Sequence, residues 1–173
     1  MTLRPFKDNV PLIAESAWVS ETAYVVGDVE IGEDSSIWPG TVIRGDVCSI
    51  RIGKRSHIED NCVLHSADVL RVGDDVIVGH SVVLHGRSIG TGCLIASHAT
   101  VLDDVEVGDS CLVGAGALLR PGTVVPANSF VVGIPAVIRP ATSGQKSTLR
   151  AMLEQQPERG YGALMRAYKT AGL

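Results

Sequence analysis

An aliphatic residue recurs every six positions along this chain, opening with Ile13, Val19, Val25, Ile31, Ile37 and Ile43. The beat resumes at Ile52, Ile58 and Leu64, then at Val72, Val78 and Leu84, and continues unbroken from Ile89 to Val137. Three irregular steps interrupt it, of nine residues from Ile43 to Ile52, eight from Leu64 to Val72 and five from Leu84 to Ile89. A period of six means coils and not a layered domain. It marks a parallel β-helix, in which each repeat is a short strand plus a corner and buries its apolar residue only by stacking on its neighbours. Three repeats close one triangular turn, so the series predicts about seven turns, a prism roughly 34 Å tall at about 4.8 Å per stacked strand. Small residues stand two places before many anchors, among them Ala17, Ser35, Cys62 and Ala99, as a crowded inner corner requires. Glycine follows many anchors, where a backbone conformation that a Cβ resists is expected.

After Val137 the beat stops. Pro140, Thr142, Ser143 and Gly144 punctuate a linker, and Leu149, Met152 and Leu153 take helical spacing, followed by Pro157 and a second set at Tyr161, Leu164, Met165 and Tyr168. This predicts a β-helix domain over residues 1–140 and a C-terminal helix over residues 145–170. The helix should break or restart near Pro157 and lay its apolar stripe against a face of the prism.

A chain of 173 residues with 45% hydrophobic content is long enough to bury a core. Its net charge of −4, with no basic run and no interleaved aromatics, argues against nucleic acid as a partner. No stretch of about eighteen apolar residues occurs, and residues 1–8 lack a signal peptide's hydrophobic segment, so no membrane partner and a cytoplasmic location are expected. Cys62, Cys93 and Cys111 take the small inner-corner position and none of the cysteines forms a CxxC pair, which reads as core packing. Cys48 falls in the nine-residue step.

Ile43, Leu64 and Leu84 begin strands on one wall, a turn apart, so Arg44, His65 and His85 form a column leaving the outer surface, with backbones about 4.8 Å apart. Two imidazoles at that spacing can share one metal ion. His80, two residues after Val78, lies near the end of the preceding wall and points another way. One protomer would not bring the three together, so His80 is expected to complete the site across the interface of a cyclic trimer, where a head-to-tail contact closes into three identical sites. Three histidines with an open fourth position suit a hydrating or hydrolytic zinc centre. The same spacing also suits plain surface or interface histidines.

The runs Ile43-Arg44-Gly45-Asp46, Ile58-Glu59-Asp60-Asn61, Val63-Leu64-His65, Val78-Gly79-His80 and Leu84-His85-Gly86 resemble the γ-class carbonic anhydrases and their close bacterial relatives. The resemblance implies an all-β fold, a left-handed parallel β-helix, a homotrimer, and Zn2+ or Fe2+ bound by His65 and His85 of one subunit and His80 of the next. It implies a lyase (carbonate dehydratase) that hydrates CO2 reversibly to bicarbonate through a metal-bound hydroxide. Arg44 and Asp46 match a family pair near the interface and the anion pocket. A guanidinium in the ligand column suits bicarbonate while a carboxylate fixes its fork; a plain intersubunit salt bridge is the other reading.

Two positions depart from the family. Glu59 stands where a glutamine that hydrogen-bonds the metal-bound water is usual. An ionised carboxylate only accepts, so Glu59 is expected to orient hydroxide, act as a base or ligate the metal. Ser97-His98 replaces a common Met-Gly, and His98, one turn above His80, reads as a proton shuttle or as an exposed corner histidine. His57 is expected at a corner in a structural or surface role. The short step from Leu64 to Val72 leaves no room for the acidic loop with which the most active members shuttle protons, so slow catalysis is expected. Two rival readings remain, a hexapeptide acyltransferase using acyl-coenzyme A, since fold does not fix function, and a non-catalytic metal-binding trimeric scaffold.

Overall fold

A computed structural model describes residues 2–173. Each six-residue step becomes a short strand and a corner, and the chain climbs as a left-handed parallel β-helix of about seven turns. The three walls keep one register from turn to turn. On the first, Val42, Val63, Val83, Thr100 and Leu118 stack in succession, with the anchors Ile43, Leu64, Leu84, Val101 and Leu119 beside them. The second stacks Trp18, Ser36, His57, Ile77, Leu94, Leu112 and Phe130 outside its anchors. The third carries Glu30, Arg51, Arg71, Ser88 and Glu106, and Arg51 lies 2.7 Å from Asp28 and 3.3 Å from Glu30. We call these the histidine wall, the helix wall and the charged wall.

The anchors point inward and are sealed, with Ile37, Ile43, Ile58, Leu64, Leu84 and Ile95 all at 0% exposure. Full burial stabilises such a side chain by about 1.5–3 kcal/mol relative to exposure. The three irregular steps stack at one corner, between the histidine and charged walls. The nine- and eight-residue steps widen the path there, and Val29, Ile50 and Leu70 fill the space that small residues take at other corners. An additional strand, Thr2–Arg4, pairs in parallel with Tyr24–Val26 before the beat begins.

Two expectations are corrected. The glycines that follow anchors do not have positive φ; the left-handed corners are taken by Asp34, Arg55, Asp75, Asn61, Ser81 and His98, among others. The reason for glycine is contact, since a Cβ on Gly53 would stand 2.6 Å from the Gly73 carbonyl in the next turn. The second concerns the last anchor, Val137. It does not point into the core: Val137–Pro140 turns back antiparallel to Ser129–Val132, and Val137 is 50% exposed.

The C-terminal segment forms α1 (Ser143–Glu154), α2 (Gln156–Arg159) and α3 (Tyr161–Ala171). Thr142 caps α1 through a reciprocal pair with Gln145, satisfying two end donors. Pro157 sits in the first turn of α2, where its missing N–H costs nothing. α3 lies on the helix wall, where Trp18, Trp38, Tyr161, Tyr168 and Met165 form a second, aromatic core. The Trp18 and Trp38 ring centroids are 4.9 Å apart, and both tyrosines meet Trp38 edge-on. Such pairs add about 0.5–1.5 kcal/mol beyond burial.

His57 also lies beneath this helix. It stands on a strand and not at a corner, is 1% exposed, and packs under Tyr161 with ring centroids 6.2 Å apart. Burial holds its imidazole down at about 4, against 6.5 in the open. With the folded value below the unfolded one, the unfolded chain takes up the proton first. The contribution is therefore whole above pH 6.5 and is lost as pH falls from 6.5 to 4, an effect of up to about 3 kcal/mol. A His57→Asn variant should lose this part of the acid sensitivity, measured as the drop in urea unfolding free energy between neutral and mildly acidic buffer. An undiminished drop would show that His57 is not its source.

Candidate metal centre

The shared register of the histidine wall places Arg44, His65 and His85 in one outward column, because each follows a paired anchor. The His65 and His85 amides continue the ladder, donating to Leu84 and Val101. Their rings converge, with His65 Nδ1 and His85 Nε2 3.1 Å apart. Two nitrogens bound to one tetrahedral zinc at 2.0–2.1 Å stand about 3.3 Å apart, so this spacing fits a shared ion with little adjustment. The remaining ring nitrogens face carboxylates, His65 Nε2 at 3.2 Å from Asp46 and His85 Nδ1 at 3.0 Å from Asp103.

His80 occupies the opposite edge of the same wall, at the corner shared with the helix wall. Its Nδ1 lies 3.1 Å from Asp60 and its Nε2 3.1 Å from Glu59. All three histidines thus have one nitrogen against an aspartate; the second nitrogens of His65 and His85 face each other, and that of His80 faces Glu59. This is the support that metal-ligating histidines commonly receive, a carboxylate fixing tautomer and ring orientation. Within one protomer the two half-sites do not join, and among the described residues no group of three His, Cys, Asp or Glu side chains is arranged to hold a metal.

Arg44 and Asp46 stand beside the His65 pair. Arg44 Nη2 is 3.2 Å from His65 Nε2 and Arg44 Nε 3.7 Å from Asp46. Burial works against ionisation of Asp46, but the Arg44 charge and the His65 hydrogen bond prevail and hold its carboxyl below the usual range. Glu59 belongs to the His80 half-site. It is 7% exposed, and its burial pushes its pKa up against the opposing influence of His80. The Tyr161 side chain of α3 lies beside this carboxylate, and its own pKa is pushed up to about 12, first by burial and then by the Glu59 charge. His98 is an exposed left-handed corner residue whose amide donates to the His80 carbonyl at 2.9 Å. Asp60, Asp103 and Tyr161 escape sequence reasoning. Asp60 and Asp103 are corner residues of common type, and Tyr161 reaches the site only because α3 folds back over more than a hundred residues.

The hexapeptide walls and their histidine column define a hexapeptide-repeat β-helix protein, and the chain belongs to that family. Residues 11–45 match the family described as bacterial transferase hexapeptide (six repeats). The crystal structure of a hexapeptide transferase family protein from Anaplasma phagocytophilum is similar at 33% identity and a TM-score of 0.88, covering 96% of this chain and 98% of that one. Gamma carbonic anhydrase 1, a mitochondrial protein of Arabidopsis thaliana, is 40% identical over 143 residues, 78% of this chain and 52% of its own length. A carbonic anhydrase of Geobacillus kaustophilus is 45% identical over 93 residues, 53% of this chain and 51% of its own. The chain spans about half the length of these curated relatives.

The carboxylate behind each histidine yields a direct test. Asp103→Asn keeps every histidine but weakens the orientation of His85, and should lower zinc affinity by about 10- to 100-fold, read by competition with a chromophoric chelator. His65→Ala should abolish binding while the far-UV spectrum stays that of a β-helix, because the ligands leave the outer surface.

Proposed function

We propose that the protein is a γ-carbonic-anhydrase-type metalloenzyme that hydrates CO2 reversibly to bicarbonate, working as a cyclic homotrimer. The observation that carries the reading is the split histidine set, each member backed by an aspartate, with two binding nitrogens 3.1 Å apart on one edge of a wall. Similarity to proteins named carbonic anhydrases supports the substrate.

Assembly follows from the same wall. Its outward column runs Tyr24, Val42, Val63, Val83, Thr100 and Leu118, with Tyr24 and Val63 at 40% exposure and Val83 at 36%. This apolar stripe lies between the two half-sites. In a three-fold ring with the stripe turned toward the axis, the His80 edge of one copy meets the His65 and His85 edge of the next. Isologous pairing would set like edges together, whereas a head-to-tail ring makes three complete sites.

His65, His85 and the neighbouring copy's His80 would hold Zn2+ or Fe2+. When bound, such an ion supplies Lewis acidity that brings the pKa of water down to about 7. Arg44 binds the bicarbonate oxygens, and Asp46 fixes its guanidinium. Glu59 accepts a hydrogen bond from the attacking water and takes its proton, with Tyr161 holding the carboxylate in place. His98 passes that proton toward solvent. Four free, buried cysteines suit a reducing compartment such as the cytoplasm. No helix of the described residues is long and apolar enough to cross a membrane. Acyl transfer from coenzyme A is the second reading, favoured by the transferase name of the Anaplasma structure.

Stopped-flow CO2 hydration with zinc and with anaerobic iron(II) tests the proposal, and rates no faster than buffer with both metals would falsify it. Arg44→Ala should weaken bicarbonate inhibition. Val63→Glu with Val83→Glu should convert trimer to monomer in sedimentation and lose the ion at the same time. Retention of the ion by the monomer would overturn the shared site.

A further inference from the structure

A second cavity lies on the helix wall, away from the histidine column. It is lined by Arg55, His57, Asp75, Gln156, Pro157 and Arg166, with Gly162 and Leu153 closing its helical side, and it encloses about 130 Å³. That exceeds the roughly 10–15 Å³ that one water requires and falls short of the ~300 Å³ at which pockets for drug-sized ligands begin. A ligand of a few heavy atoms fits.

The floor is His57, and its hydrogen bonds determine what it offers. Trp38 Nε1 donates to Ser36 Oγ at 2.8 Å, and Ser36 Oγ lies 2.8 Å from His57 Nδ1. Ser36 Oγ has no other acceptor among the described residues, so its proton goes to Nδ1 and the His57 proton sits on Nε2. Nε2 has no hydrogen-bond partner among the described residues. No side-chain nitrogen or oxygen there is both sealed and unpartnered, so Nε2 opens onto the cavity. A ring that is only 1% exposed thus aims an unused N–H donor into a partly open cavity. Burial keeps that ring neutral at physiological pH.

The formal charges lining the cavity balance, Arg55 and Arg166 against Asp34 and Asp75, but Arg55 is spent on Asp75 and Arg166 has no carboxylate partner among the described residues. Both Asp75 oxygens are taken by Arg55, through Nε and Nη2 at 2.7 Å each. Arg166 spends one Nη2 donor on the Pro157 carbonyl and keeps the rest of its fork. Two guanidiniums retain free donors, and the Asp75 carboxylate beside them is engaged by Arg55 on both oxygens. Asp34 stands at the rim and disfavours a second negative charge.

We propose that this cavity is a binding site for a small monocarboxylate, one oxygen accepting from His57 Nε2 and the other from the Arg166 fork. The ligand ties α3 to the prism one residue from Tyr161, whose side chain lies beside Glu59, so occupancy stiffens the support of the His80 half-site. Titration of the intact, isotope-labelled chain with acetate tests this by NMR. Saturable shifts of the Gly162 amide and the His57 ring are expected, with affinity at least tenfold weaker in Arg166→Gln, a rim substitution that leaves the core untouched. His57→Phe should abolish the saturable shift at Gly162. Shifts that stay linear in acetate, an unchanged affinity in Arg166→Gln, or tighter binding of inorganic phosphate than of acetate would each overturn the proposal.

Discussion

On the histidine wall each strand hydrogen-bonds to the strand one turn away with no stagger, so a side-chain position on one turn is copied onto the next. The register rests on backbone amides and carbonyls that must be paired wherever water is excluded. It makes the core a stack of identical contacts and turns any outward residue type that recurs into a column. The His65 and His85 pair is one such column, and the aromatic strip under α3 is another. Irregular steps are tolerated only where they stack, which is why all three collect at one corner and border the histidine column.

The same geometry divides the histidine centre. A wall has two edges, and side chains on opposite edges of one prism diverge. His65 and His85 share an edge with ring nitrogens 3.1 Å apart, while His80 sits on the other with Glu59 and Asp60. Between them runs an apolar stripe that one protomer leaves in water. The proposed ring answers both facts at once, because the contact that covers the stripe also brings the edges together.

The C-terminal helices do more than cover a wall. Tyr161 lies beside Glu59, and Pro157 and Gly162 help line the cavity onto which His57 Nε2 opens. Burial raises the Glu59 pKa and lowers that of His57 for one reason, the loss of water beneath α3. Charge states on two sides of the helix thus depend on its docking against Trp18 and Trp38.

The spacing of aliphatic residues was enough to establish the coil, its approximate height, the column of Arg44, His65 and His85, and the helical tail with its break at Pro157, because these features follow from period alone. The resemblance carried by short runs such as Val78-Gly79-His80 added handedness and the expected ion. Period could not reveal that Val137 turns back into a hairpin, since an isolated valine looks the same in or out of register. Nor could it place His57, Asp60, Asp103 or Tyr161. Their environments depend on which surfaces meet after folding, and that meeting is decided by tertiary packing: α3 lies where two tryptophans of successive turns offer it a patch, and the aspartates act only where the prism's corners bring them against a histidine.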